Sequence, residues 1–186
     1  GPKGGFAIGG FDKTKGEGNN ANFFNVSTSA QDTIDPSQNR ILWYPVKNAF
    51  LTGKVLIELP DSVGENSFAS GFESKAIGDY SQALGYKAIA RSDYSTAIGK
   101  NAVADSINSF AFGEDAAAKN DESYAFGRGA VASGYRSFAF GSAGVDSAGN
   151  ATDVARALGA YSFAVGQGSK ASGLGSLSIG VSSTAE

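Results

Sequence analysis

The chain contains no cysteine, no methionine and no histidine, and these absences narrow the functions that are open to it. Without cysteine it has no disulfide, no thiol nucleophile and no zinc–thiolate site. Without histidine it lacks the commonest general base and metal ligand. Most familiar catalytic constellations therefore cannot be assembled. We predict a protein that is not an enzyme, holds no metal and needs no cofactor.

Charge and hydropathy exclude two further classes of partner. The formal net charge of −3 gives no basic face of the kind that binds nucleic acid, so no nucleic-acid partner is expected. No run of 18 apolar residues is present, so we expect these residues to make no membrane contact. Gly1 and Pro2 are typical of the scar that a protease leaves when a tag is removed, and we assign residues 1–2 to such a scar.

Glycine, alanine and serine are abundant instead, and they recur in a fixed pattern. The motif Ser-x-Ala-x-Gly returns every 14 residues, with a second small residue nine positions after each serine. Each unit divides into two halves of about seven residues, and each half alternates with the period of a β-strand before a turn. The motif begins at Ser67, Ser81, Ser95, Ser109, Ser123, Ser137, Ser162 and Ser176. We therefore predict an all-β solenoid of 14-residue coils over residues 63–186.

The gap from Ser137 to Ser162 is 25 residues, which is 11 more than one coil. The extra residues predict an insertion loop at about 142–156. Loops on rigid scaffolds often carry recognition, so Asp146, Asn150 and Asp153 are candidate recognition residues. A tolerated surface insertion with no binding role is the alternative.

The residues one and three places after the motif serines are mostly large and apolar. We predict that they point into the roll, opposite the small residues of the second strand, such as Ala88 and Ala90. In the alternative, they lie outside as a seam between subunits. Both interpretations bury this stripe, because monomers rarely leave such a long apolar ladder exposed. The stripe comprises Phe110, Phe112, Tyr124, Phe126, Phe138, Phe140, Phe163 and Val165.

Residues 3–62 read as an N-terminal β connector that caps the roll, with one degenerate repeat at residues 5–9. Strand-like segments occur at 22–26, 40–44 and 49–59, and prolines bound the last of them. The sole tryptophan, Trp43, lies in this region. It is interpreted as a packing or trimer contact, with a ligand site as the alternative.

Two units carry a family resemblance, namely Asn66-Ser67-Phe68-Ala69-Ser70-Gly71 and Asn108-Ser109-Phe110-Ala111-Phe112-Gly113. They resemble the head repeats of YadA-like trimeric autotransporter adhesins, and the resemblance covers about residues 66–186. It implies a left-handed parallel β-roll, three of which associate side by side as a homotrimer.

The same resemblance implies a surface adhesin head that attaches through a multivalent repeated surface. Its expected partners are further copies of itself and a host or surface receptor, such as a matrix protein or a glycan. The implied location is extracellular, on a bacterial surface through a parent protein anchored in the outer membrane, or in a phage fibre. The alternative function is a structural shaft or spacer of a phage tail fibre or a modular bacterial fibre.

Overall fold

The computed structural model of this chain describes residues 24–26, 39–44, 47–144, 147–148 and 152–186. Within these residues the chain forms two sheets, one of 11 strands and one of 8 strands. Residues 1–2 and the degenerate repeat predicted at residues 5–9 lie outside the described part. The predicted all-β solenoid is confirmed.

The longer sheet has the strand order β1-β2-β3-β4-β6-β8-β10-β12-β14-β16-β18, with strands numbered along the chain. Its neighbours are parallel except β2 and β3, which pair antiparallel. Its strands are β1 (Phe24–Val26), β2 (Arg40–Tyr44), β3 (Ala49–Lys54), β4 (Phe68–Phe72), β6 (Gln82–Tyr86), β8 (Thr96–Ile98), β10 (Phe110–Phe112), β12 (Tyr124–Phe126), β14 (Phe138–Phe140), β16 (Phe163–Val165) and β18 (Leu177–Ile179).

The shorter sheet contains the second strand of each coil, in the order β19-β17-β15-β13-β11-β9-β7-β5. All of its pairs are parallel. Its strands are β5 (Lys75–Ala76), β7 (Ile89–Ala90), β9 (Val103–Ala104), β11 (Ala117–Ala118), β13 (Val131–Ala132), β15 (Arg156–Ala157), β17 (Lys170–Ala171) and β19 (Thr184–Ala185).

The register between strands confirms the 14-residue coil. Ala97 lies opposite Ala111, and Ala111 lies opposite Ala125, so equivalent residues of successive coils are neighbours. Ala139 lies opposite Ala164, and the coil register is therefore kept across the longer gap. The extra residues fall between the end of β14 and the start of β15, where they leave the stack of strands undisturbed.

Each coil turns twice, and each turn uses a residue with a left-handed backbone conformation. These residues recur every seven positions with φ between 51° and 59° where they are not glycine, as at Tyr80, Lys87 and Tyr94, and with φ between 65° and 72° at Gly129, Gly168 and Gly175. An L-residue pays about 1–2 kcal/mol for this conformation. The cost is offset because the same residue donates its amide to the preceding coil, as Tyr94 does to the Asp79 carbonyl at 2.9 Å.

The interior of the roll contains almost only serine and alanine. The central small residue of each first strand is fully or almost fully buried, and so are both inward residues of every second strand from β7 to β17. Inward serine hydroxyls close the turns: Ser109 donates to the Ser106 carbonyl and Ser123 donates to the Asn120 carbonyl, both at 2.6 Å. Side chains this small let the two sheets approach more closely than the roughly 10 Å of ordinary packed sheets.

The prediction that the large residues point into the roll is wrong. Phe112 is 53% exposed, whereas its neighbour Ala111 is 1% exposed. The reason is that the motif serine faces inward, where in five of the eight coils its hydroxyl donates to a carbonyl of the turn. Because side chains alternate along a strand, the alanine two places later also faces inward and the aromatic residues face out. The predicted inward direction of Ala88 and Ala90 is confirmed.

The described part of the connector region continues the longer sheet. Strand β3 pairs in parallel with β4, so that Leu51 lies opposite Ala69. Larger apolar side chains fill this end of the roll, including Leu42, Tyr44 and Leu51, all of which are buried. A 3-10 helix, Pro60–Ser62, then leads into the first coil.

We expect replacement of Ala118 by leucine to destabilise the protein, because this side chain is fully buried between the two sheets. Overpacking of this kind costs about 1–3 kcal/mol. Its neighbour Ala117 points outward on the same strand, so Ala117→Leu is the matched control and should have little effect. Denaturant unfolding followed by circular dichroism measures both. Equal losses for the two variants would contradict the alanine interior described above.

Candidate functional site: the aromatic face

The outward side chains of the longer sheet form two columns that we call together the aromatic face. The first column holds the residue after each motif serine, and the second holds the residue three places after it. The first column is Phe68, Gln82, Thr96, Phe110, Tyr124, Phe138, Phe163 and Leu177. The second column is Ser70, Leu84, Ile98, Phe112, Phe126, Phe140, Val165 and Ile179.

Aromatic rings stack along both columns. In the first column, ring centroids are 5.4 Å apart for Phe110 and Tyr124, 4.6 Å for Tyr124 and Phe138, and 4.5 Å for Phe138 and Phe163. In the second column, Phe126 and Phe140 are 4.7 Å apart. Such pairs contribute about 0.5–1.5 kcal/mol each beyond burial. The stacks therefore help to hold successive coils in register.

The stacked rings cover one another's faces but leave their edges open to solvent. Of the eight residues in the predicted stripe, Phe112, Phe140 and Phe163 are exposed and the other five are half-buried. The face spans eight coils at about 4.8 Å per coil and is about 10 Å wide, so its projected area is on the order of 400 Å². Monomers carry apolar patches of this size only as their largest patch, and such a patch is often functional.

The first column also extends into the connector, which the sequence did not predict. Phe50 stacks on Phe68 at 5.6 Å, and Trp43 lies opposite Phe50 across the antiparallel pair. Trp43 is 38% exposed, while Leu42 and Tyr44 on either side of it are buried. The alternation of buried and exposed residues along β2 is the signal that could have placed Trp43 on this face.

One break interrupts the column. Gln82 and Thr96 occupy two successive coils, with Phe68 before them and Phe110 after them. Gln82 is exposed and Thr96 is half-buried. The first column is therefore polar at these two coils and apolar at the others, and the second column has one polar residue, Ser70, in the coil before the break.

The turns carry charged residues that pair from coil to coil. Glu114 accepts from Lys100 at 2.7 Å and lies 3.6 Å from Arg128. Glu122 accepts two hydrogen bonds from Arg136, at 2.8 and 3.0 Å. The Arg136 hydrogen bond lowers the pKa of Glu122, and the Glu114 hydrogen bond raises the pKa of Lys100. These charges satisfy one another along the roll.

Among the candidate loop residues, Asp153 is exposed, whereas Asp146 and Asn150 lie outside the described residues. The base of the loop is closed by a hydrogen bond of 2.8 Å from the Thr152 amide to the Gly144 carbonyl. The assignment of a recognition site to this loop stays a prediction.

The described residues hold no cluster of three or more acidic residues that could bind a metal ion. In this part of the chain, no helix has the length and apolar character needed to cross a membrane. The cavity between Val55, Val63 and Ala76 has a volume of about 10 Å³, which is room for one water molecule.

A stack of 14-residue coils with a mostly apolar outward face defines a β-solenoid repeat protein. The family model described as the YadA head domain repeat matches residues 62–88, 76–102, 90–116, 118–143 and 157–183, which is more than half of the chain. The chain therefore belongs to the YadA head family, and the predicted resemblance is confirmed. This family occurs in surface-exposed autotransporter adhesins and is typical of structural adhesin proteins rather than enzymes. No curated protein and no solved structure matches this chain.

We expect Glu122→Gln to reduce the loss of stability in acid. The pKa of Glu122 is lowered in the folded state, so its pairing with Arg136 favours folding above the ordinary glutamate pKa. That contribution disappears as the pH falls through the lowered pKa. The effect should be small because both side chains are exposed. Melting temperatures measured from pH 7 down to pH 3 test it. Asp61→Asn is the control, because the Asp61 side chain is 97% exposed and its contact with Lys47 is long, at 4.0 Å. An equal change in acid stability for this variant would contradict the role assigned to Glu122.

Proposed function

We propose that this chain is a segment of a trimeric surface adhesin, in which three left-handed rolls lie side by side with their aromatic faces buried against one another. The observation that carries the proposal is the outward aromatic face in a chain built from YadA head repeats. The parent protein is extracellular and anchored in a bacterial outer membrane, with a phage fibre as the alternative location.

The chemistry of the aromatic face favours further copies of the same chain as its occupants. Each copy presents the same two columns. When copies are related by a rotation axis parallel to the roll, equivalent coils of the copies lie at the same height along that axis. A stable interface buries about 800 Å² on each partner. The aromatic face alone, on the order of 400 Å² and shared between two neighbours, falls short of this, so the interface must extend onto the flanking turns.

Once the aromatic faces are buried, the outer face of the shorter sheet and the turns remain available for binding. These surfaces repeat from coil to coil and would be repeated three times around the axis. Weak contacts multiply in such an array because each bound site raises the effective concentration of the next. This supports attachment to an extended partner such as a matrix protein or a glycan, with the loop around Asp153 as an additional contact.

The paired charges favour a second candidate function, which is a structural spacer within a fibre. Lys100, Glu114 and Arg128 bond to one another rather than leaving one sign of charge free for a receptor. A spacer needs only a stable and soluble surface of this kind.

A binding panel separates the two functions. We expect saturable binding of the purified chain to a matrix protein or an immobilised glycan. Replacing residues 145–153 by a short Gly-Ser linker should weaken that binding. Ala155 is kept, because it is fully buried and its carbonyl accepts a hydrogen bond from the Val131 amide. Absence of binding across the panel by a properly folded chain would favour the spacer.

We expect Phe126→Arg to dissociate the trimer, because it places a charge in the centre of the aromatic face. Val131→Arg is the matched control, since Val131 lies in the same coil but faces outward on the shorter sheet. Light scattering at micromolar concentration should give three times the chain mass of 18.9 kDa for the parent and for Val131→Arg, and a smaller mass for Phe126→Arg. A monomeric parent, or dissociation only by Val131→Arg, would overturn the proposed seam.

A further inference from the structure

The proposed seam between copies is built from repeated coils, and such a seam does not by itself fix the register, which is the position of one copy along the axis relative to another. If one copy slides along another by one coil, about 4.8 Å, its strands again meet strands of the same kind. Stacked rings are tolerant of such a shift because one phenyl edge is much like the next. A trimer with a uniformly aromatic seam would therefore populate several registers, so some feature of the face must distinguish one coil from its neighbours.

The break at Gln82 and Thr96 is such a feature. The break lies in the first column, which Phe50 and Trp43 extend into the connector. On both sides of the break this column carries aromatic rings. The second column is aliphatic at these two coils, with Leu84 and Ile98, and becomes aromatic at Phe112. The polarity of the first column therefore changes at these two coils, and the side chains of the second column become larger directly after them.

We propose that Gln82 and Thr96 fix the axial register of the three copies, an inference that rests on the trimer proposed above. In the aligned register the amides and hydroxyls of the three chains lie at the same height. Each group carries both a donor and an acceptor, so they can hydrogen-bond to their counterparts.

A slip of one coil along the axis removes part of these hydrogen bonds. It brings Gln82 of one copy to the height of Thr96 of the next, where a hydrogen bond is still possible, but it brings the remaining polar groups to the heights of Phe68 and Phe110. A slip of two coils leaves every Gln82 and Thr96 without a polar counterpart. A polar side chain buried against a ring loses its partner, which is costly. In a slipped register, the aromatic rings of one copy would also face the smaller side chains of the break in the next copy, and this mismatch would leave voids. A polar residue in the seam of a coiled coil selects register in the same way, at some cost in stability.

Trp43 provides a reporter of register, because it is the sole tryptophan and lies on the same face. The chain is labelled with 5-fluorotryptophan and observed by fluorine NMR. In an aligned trimer the three Trp43 side chains are equivalent and give one resonance. In slipped trimers the chains are inequivalent and give additional resonances.

The test variant is Gln82→Phe combined with Thr96→Phe, which makes the first column aromatic across the break. We expect the parent to give one resonance, and the variant to remain trimeric by light scattering while giving several. The matched control is Ile89→Phe combined with Val103→Phe, which adds the same rings to the same two coils on the outer face of the shorter sheet. The control should keep one resonance. If the double phenylalanine variant misfolds by circular dichroism, Gln82→Leu with Thr96→Val removes the polar groups with less added volume.

The outcomes separate this inference from the proposed trimer. A folded, trimeric variant with a single resonance would show that register is set elsewhere, and would overturn the inference while leaving the trimer intact. Several resonances in the trimeric parent would also overturn it. A monomeric parent would overturn the proposed trimer, and the inference would fail with it.

Discussion

The small volume inside each coil is the constraint on which the rest of this structure depends. Two strands and two turns use up 14 residues, and the motif serine faces inward, where Ser109 and Ser123, for example, bond their turns. The space that remains accepts alanine. Every large side chain of the coils is therefore directed outward, where its neighbours are the same positions of the adjacent coils rather than an interior core.

Contacts in the roll consequently run along its axis. Backbone hydrogen bonds, ring stacks such as Tyr124 on Phe138, and charge pairs such as Arg136 with Glu122 all join one coil to the next. Repeat proteins of this kind have a stability that is close to a sum of units and nearest-neighbour interfaces. The 11 extra residues before β15 are tolerated for the same reason, because Ala139 still meets Ala164.

The repeat spacing was sufficient to predict the coils, their parallel stacking and the buried second-strand alanines. It could not decide which face of the first strand is buried, because an alternation of period two is compatible with either face. Ordinary protein cores bury large side chains, and this is the basis for expecting them inside the roll. The expectation fails here because Phe112 would have no room beside Ala111. The serine before each strand was the missing signal. Trp43 was placed in a separate connector because no repeat spacing links it to Phe50; only strand pairing does.

An interior of alanine and serine has a consequence for folding. Burial of an alanine methyl contributes roughly 0.8 kcal/mol, whereas a phenylalanine contributes about 1.5–3 kcal/mol when it is fully buried. In this chain the phenylalanines of the coils reach full burial only if a partner covers them. In the proposed trimer, much of the hydrophobic stabilisation thus arises on association, so that folding and assembly are linked. A face that supplies so much of the stability must also be aligned correctly, and this is why a polar break such as Gln82 and Thr96 is worth its cost in apolar contact.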